Sequence, residues 1–222
     1  MHSEKSKSYS ETLGREFHID LFRSSIEEKG IILWLGGSGV DKDKYWSRGN
    51  SVNTTFDQTW DQMSQDPPII FVYVTAPYDI RFSEFLNYPE DLEKWNRHVE
   101  KDILGKLPKL PIYIIGNSGG AALALNGLHK LPDIKGVGCV GGDQIPEKLD
   151  IPLKEDGEPK WYLKLYYNWD DPVYNQNLMA INKLETKRLI EINRYEGIHC
   201  TEDYILNRSV EGLIRAALRT FI

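Results

Sequence analysis

The chain has 222 residues, which at roughly 150 residues per domain suits one full-sized domain better than two small ones. With 41% hydrophobic and 27% charged residues, it has the composition of an ordinary folded protein, which excludes disordered, collagen-like and coiled-coil classes. Lys+Arg number 27 against 33 Asp+Glu, giving a net charge of -6 and a pI near 5.5, opposite in sign to the basic surface a nucleic-acid partner requires.

Residues 1–15 are polar and lack the apolar stretch of a secretory signal, so they read as a flexible polar leader to a single domain spanning 1–222. Phe17, Ile19 and Leu21 alternate with His18 and Asp20, the period of a half-buried strand with His18 on its polar face. Two continuous apolar runs follow. Ile31 to Leu35 stops at Gly36-Gly37-Ser38-Gly39, and Ile69 to Val74 stops at Thr75-Ala76-Pro77. Such runs suit parallel strands buried on both faces, and the longer is far too short to span a membrane. Pro89 to Leu107 places Leu92, Trp95, Val99, Ile103 and Leu104 at helical spacing.

A strand is expected over Ile112–Ile115, a buried helix over Ala121–Leu131 and a strand over Val137–Val140. Residues 141–159 contain Pro146, Pro152 and Pro159 and read as a loop, leaving no room for a large lid. Strands over Trp161–Tyr167 and Leu189–Tyr195 alternate with helices over Val173–Leu184 and Glu202–Phe221. This alternation predicts an α/β fold: a mostly parallel sheet with helices on both faces, binding its ligand beyond the carboxyl ends of the strands.

The sharpest local signal is Gly116-Asn117-Ser118-Gly119-Gly120, a G-x-S-x-G string between a predicted strand and a predicted helix. A serine on so tight a turn needs small residues two before and two after it, and the helix that follows aims backbone N–H groups at developing negative charge. A serine nucleophile also needs a base, and the base an orienting acid. Of the five histidines, His2, His18, His98 and His129 lie in the leader, on a strand or on helices, where a solvated or core role suits them. His199 stands just past the last predicted strand. The acid falls between serine and histidine, where Asp170 and Asp171 are adjacent; Asp171 is favoured because Pro172 suits the start of the next helix, with Asp170 the alternative. The order Ser118, Asp171, His199 is that of α/β-hydrolases.

In these segments the chain resembles the α/β-hydrolases, and more narrowly the small carboxylesterase and acyl-protein thioesterase group. The resemblance rests on Leu35 to Gly39 with Trp46, Thr75-Ala76-Pro77, Gly116 to Leu125, Asp171-Pro172-Val173 and Tyr195 to His199. It implies Ser118 as nucleophile, Asp171 as acid, His199 as base, and the N–H groups of Gly119 and Ser38 as the oxyanion hole, Gly37 being the alternative to Ser38. It further implies ester or thioester hydrolysis without a metal or organic cofactor. The chain departs from the group in having Gly36-Gly37 for His-Gly, and Asn168 for Gly.

No third glycine stands at Lys42 and no phosphate-binding loop motif occurs, which argues against nucleotide binding. Tyr45, Trp46, Phe56 and Trp60 in one loop and Tyr78, Phe82, Phe85 and Tyr88 in another could wall an acyl pocket, with Arg48 and Arg81 meeting an anionic portion of a substrate. Cys200 reads as a small buried filler. Two cysteines, Cys139 and Cys200, form no disulfide framework or zinc cluster, so a reducing cytoplasmic setting is expected. The same layout could also act on peptide, lactone or carbon–carbon bonds. A non-catalytic binding module would be signalled by a lost triad member, and none is lost.

Overall fold

The computed structural model describes residues 2–36, 67–74, 82–142, 144–146, 149, 151, 153–157, 160, 163–168, 172–186, 190–195 and 203–221. The strands are β1 (His2–Ser10), β2 (Arg15–Arg23), β3 (Gly30–Leu35), β4 (Ile69–Val74), β5 (Ile112–Asn117), β6 (Ile134–Val140), β7 (Leu163–Asn168) and β8 (Ile190–Tyr195). The α-helices among the described residues are α1 (Pro89–His98), α2 (Gly119–Asn126), α3 (Pro172–Thr186) and α4 (Asp203–Phe221). None of the described helices is long and apolar enough to cross a membrane.

All eight strands found among the described residues join one sheet in the order β1-β2-β4-β3-β5-β6-β7-β8. β2 runs antiparallel to both its neighbours and every other pair is parallel, so β3 to β8 all end at one edge. β3, β4 and β5 are buried along their whole lengths, as their unbroken apolar runs require when both faces are covered. One core cluster packs residues such as Leu33, Val72 and Ile114 against α1, α2 and α3. The other packs Ile32, Tyr73 and Ile115 against Leu213, Ile214 and Ala217 of α4.

The N-terminus corrects the expectation of a flexible leader. Residues 2–10 form β1, paired to β2 from His2↔Arg23 to Ser10↔Arg15. Its run HSEKSKSYS carries no apolar alternation, and an edge strand needs none, because it has one neighbour and tolerates charge. Gly14, at φ 65°, closes the turn by donating to the Ser10 carbonyl at 2.8 Å.

The period-2 reading of β2 holds, but burial along it is shared differently. His18 and Asp20 are buried, whereas Ile19 and Leu21 are half-buried against the α1–α3 cluster. The expected helix over 89–107 is three pieces: α1, a π-helical turn at Val99–Ile103 and a 3-10 turn at Leu104–Lys106. The wider turn keeps Val99 and Ile103 buried while bringing Asp102 to Ser10. The helix over 121–131 likewise breaks at Gly127 (φ -140°, ψ -62°), where the Asn96 carboxamide leaves no room for a Cβ. Between residues 141 and 159 the described residues contain no helix.

Candidate active site

At the end of β5 the chain turns sharply into α2, and Ser118 sits at that turn with φ 50° and ψ -118°. A non-glycine residue in this region is strained by about 1–3 kcal/mol and persists only where its surroundings hold it. Here the hold is visible. The Ser118 amide donates to the Val140 carbonyl at 2.9 Å, and the Ser118 carbonyl accepts from the amides of Ala121 at 2.9 Å and Ala122 at 3.3 Å. The serine is half-buried, between the fully covered strand below and the edge where the parallel strands end.

The two glycines flanking the serine are sterically compelled. A Cβ on Gly116 would lie 2.5 Å from Ala121 Cα and 2.6 Å from its nitrogen; one on Gly120 would lie 2.5 Å from the Leu35 carbonyl oxygen and 2.6 Å from that of Gly36. These obstacles are backbone atoms, which cannot swing aside. Gly119 is the first residue of α2, so its N–H has no carbonyl one turn back to bond and points along the positive end of the helix.

The neighbouring strand end comes equally close. Leu35 pairs with Gly116, and the Gly36 amide donates to the Val74 carbonyl at 2.9 Å. Gly36, where the resembled group carries histidine, has a local reason for being glycine: a Cβ there would lie 2.5 Å from the Tyr73 hydroxyl oxygen. β7 and β8 end in register, Asn168 beside Tyr195, on the same edge of the sheet as Ser118.

Of the sequence-predicted triad and oxyanion-hole residues, only the consecutive pair Ser118 and Gly119 falls among the described residues. Asp171, its alternative Asp170, His199, Ser38 and its alternative Gly37 lie outside the described residues, as do Tyr45, Trp46, Arg48, Phe56, Trp60, Tyr78, Arg81 and Cys200. Two of the aromatic candidates for a pocket wall are placed elsewhere. Phe85 is buried in the core with its ring 5.0 Å from that of Trp95, and Tyr88 is exposed at the start of α1.

Beyond the serine, the chain leaving β6 is pinned from two helices. Gly141, at φ 53°, donates to the Tyr166 carbonyl at 2.7 Å. Buried Asn177 of α3 accepts from the Ile145 amide at 2.8 Å, while Asn126 of α2 donates to the Gln144 carbonyl at 2.9 Å. Burial pushes the Cys139 thiol up, which leaves it inert as a nucleophile.

A second Ser, Asp and His grouping, at Ser10, Asp102 and His98, was not legible in the sequence. Its order rules out nucleophilic chemistry. Ser10 donates its proton to the acid, at 2.6 Å, and His98 Nδ1 lies on the same Asp102 oxygen at 3.2 Å, so the base is not on the serine. Ser10 and His98 are fully buried, and the grouping is a latch between the β1–β2 hairpin and the helical segment after α1. Among the described residues no group of three or more His, Cys, Asp or Glu is placed to hold a metal ion.

No protein-family model matches this chain, and no curated protein sequence matches it. Solved structures do. A ferulic acid esterase superposes with a TM-score of 0.68 at 13% identity, covering 99% of each chain. The S-formylglutathione hydrolase FrmB of Staphylococcus aureus gives 0.65 at 12% identity over 98% of this chain and 97% of its own. FphF, a fluorophosphonate-binding serine hydrolase of Staphylococcus aureus, gives 0.67 at 12% identity over 98% of both. The likeness is one of fold: the chain has the α/β-hydrolase fold, over nearly its whole length.

Proposed function

We propose that the protein is a serine hydrolase that cleaves an ester or thioester of a small to medium acyl group. The observation that carries this reading is Ser118 held at φ 50° on the strand-to-helix turn, with glycine sterically required at both 116 and 120. Strain at a polar, half-buried residue on the strand-to-helix turn, at the carboxyl edge of a parallel sheet, supports reading Ser118 as a nucleophile. The structural neighbours include proteins named as a ferulic acid esterase, an S-formylglutathione hydrolase and a serine hydrolase, which supports the same chemistry.

In this reading His199 takes the Ser118 hydroxyl proton as the oxygen attacks the acyl carbon, and Asp171 orients and balances the imidazolium. The carbonyl electron pair moves onto oxygen, where the N–H groups of Gly119 and Ser38 donate to it. Collapse expels the alkoxide or thiolate, which takes its proton from His199. Water then attacks the acyl-enzyme, giving a proton to His199, and Ser118 recovers it as the acid departs. The chemistry calls for no metal or organic cofactor, and the loop expected over 141–159, without a large lid, suits short to medium acyl chains.

Intact-mass labelling with a fluorophosphonate tests the reading. One adduct on the wild type and none on Ser118→Ala is expected. An unlabelled, well-folded wild type would overturn it in favour of a non-catalytic binding module.

A further inference from the structure

Gly36 is enclosed from both faces of the sheet. From the α4 side comes Tyr73, a member of the cluster containing Leu213 and Ile214. Its hydroxyl oxygen stands 2.5 Å, and its Cζ 3.1 Å, from where a Cβ on Gly36 would be. From the α2 side comes Gly120, whose own Cβ would lie 2.6 Å from the Gly36 carbonyl oxygen. The Gly36 amide is taken by Val74 at 2.9 Å. Residue 36 is therefore gripped at its amide, its Cα and its carbonyl, and one of the three grips comes from the elbow helix that begins beside Ser118.

We propose that Tyr73 is a positioning residue for the catalytic edge: its hydroxyl, packed over Gly36, sets how Gly36 stands against the elbow that carries Ser118. The inference rests on the hydrolase reading above, in which an oxyanion donor lies just beyond Gly36. Tyr73 is only 1% exposed, so in this reading it bears on the site through the residue it packs over. Tyr73 is the last residue but one of β4, level with Asp20 and Trp34, and its side chain reaches diagonally across to Gly36, two residues beyond Trp34 on the neighbouring strand's exit. A backbone donor that must meet a developing oxyanion at hydrogen-bond distance tolerates little displacement; misplacement by about 1 Å costs about a hundredfold in rate.

The test is a three-variant series, Tyr73→Phe, Gly36→Ala and the double variant, read by fluorophosphonate labelling rate and by kcat and KM on a p-nitrophenyl ester. Tyr73→Phe should lower kcat about tenfold with KM held within about twofold, because ground-state binding does not use the displaced donor. Gly36→Ala should lose about a hundredfold, since its new methyl meets the hydroxyl. Removing that oxygen leaves Cζ as the nearest ring atom, a tight contact that a small shift of the ring relieves, so the double variant should recover to about the level of Tyr73→Phe. If Gly36→Ala does not fold, recovery of folding in the double variant is the same rescue. Wild-type kcat in Tyr73→Phe, or a double variant no better than Gly36→Ala, would overturn the inference. Failure of the wild type to label would instead overturn the hydrolase reading, so the two failures are separable.

Discussion

Acidification should loosen the N-terminal hairpin through one carboxylate. Asp102 accepts from the Ser10 hydroxyl at 2.6 Å, from His98 Nδ1–H at 3.2 Å and from the Thr12 amide at 3.4 Å. Burial on its own pushes the Asp102 carboxyl up, but the hydrogen bonds from Ser10, His98 and Thr12 outweigh it and hold it at about 2 against an ordinary 3.8. Because the folded value lies below the unfolded one, the stabilisation is complete above about pH 4 and is lost as pH falls through about 2. The gap corresponds to about 2 kcal/mol, and the side chain, 18% exposed, is sheltered enough to keep most of it. Urea denaturation of the wild type and Asp102→Asn from pH 7 down to pH 2 isolates this group from the other acids. At about 2 kcal/mol per molar urea, the variant's midpoint should lie about 1 M lower at neutral pH. The difference should shrink below pH 4. An offset that stays constant across the range, or none at pH 7, would refute the assignment of stability to this latch.

Two further outcomes follow from the same geometry. His98 is fully buried, and the Asp102 carboxylate can only accept, so the imidazole must carry its proton on Nδ1. Burial pushes its pKa down against the opposing pull of Asp102, so nitrogen NMR should find it neutral, in that tautomer, below pH 6.5; titration at the ordinary value would contradict its burial. Gly120→Ala should overpack the elbow against the Leu35 and Gly36 carbonyls, costing about 1–3 kcal/mol and a melting-temperature fall of about 3–10 °C. Gly157→Ala is the control, since nothing lies within 4 Å of its missing Cβ and only its φ of +85° opposes the change. Gly120 lies within α2 and has no positive φ to strain, so a Gly120→Ala variant as stable as the wild type would refute the close approach.

Much of this was legible in the chain because some requirements are local. Ile31 to Leu35 and Ile69 to Val74 are apolar on every residue and end at turn formers, so burial on both faces could be read directly. The elbow was legible because its steric demand falls two residues to either side of Ser118. What was missed depends on partners distant in sequence. β1 has no periodicity of its own and exists through its pairing to β2. The irregular turn after α1 answers to Ser10, 92 positions from Asp102, a separation no window of residues can show. Buried His18 and Asp20 break the equation of polar with exposed, since the face they occupy is set by the sheet rather than by their own chemistry. Asp171 and His199 were placed by chain order after β7 and β8, and the in-register ends of those strands are as far as the described residues carry them.

The first strand also bears on how the protein is handled in the laboratory. Its nine residues look dispensable in sequence, the kind of tail an engineer trims or replaces with a tag. Cutting them away would turn β2 into the border of the sheet, exposing a line of unpaired backbone groups flanked by Phe17 and Phe22. It would also leave Asp102 without the Ser10 hydroxyl. Exposed Glu4 and Lys7 of β1 thus hem the sheet with charge, and a shortened version of this chain would invite self-association along that margin.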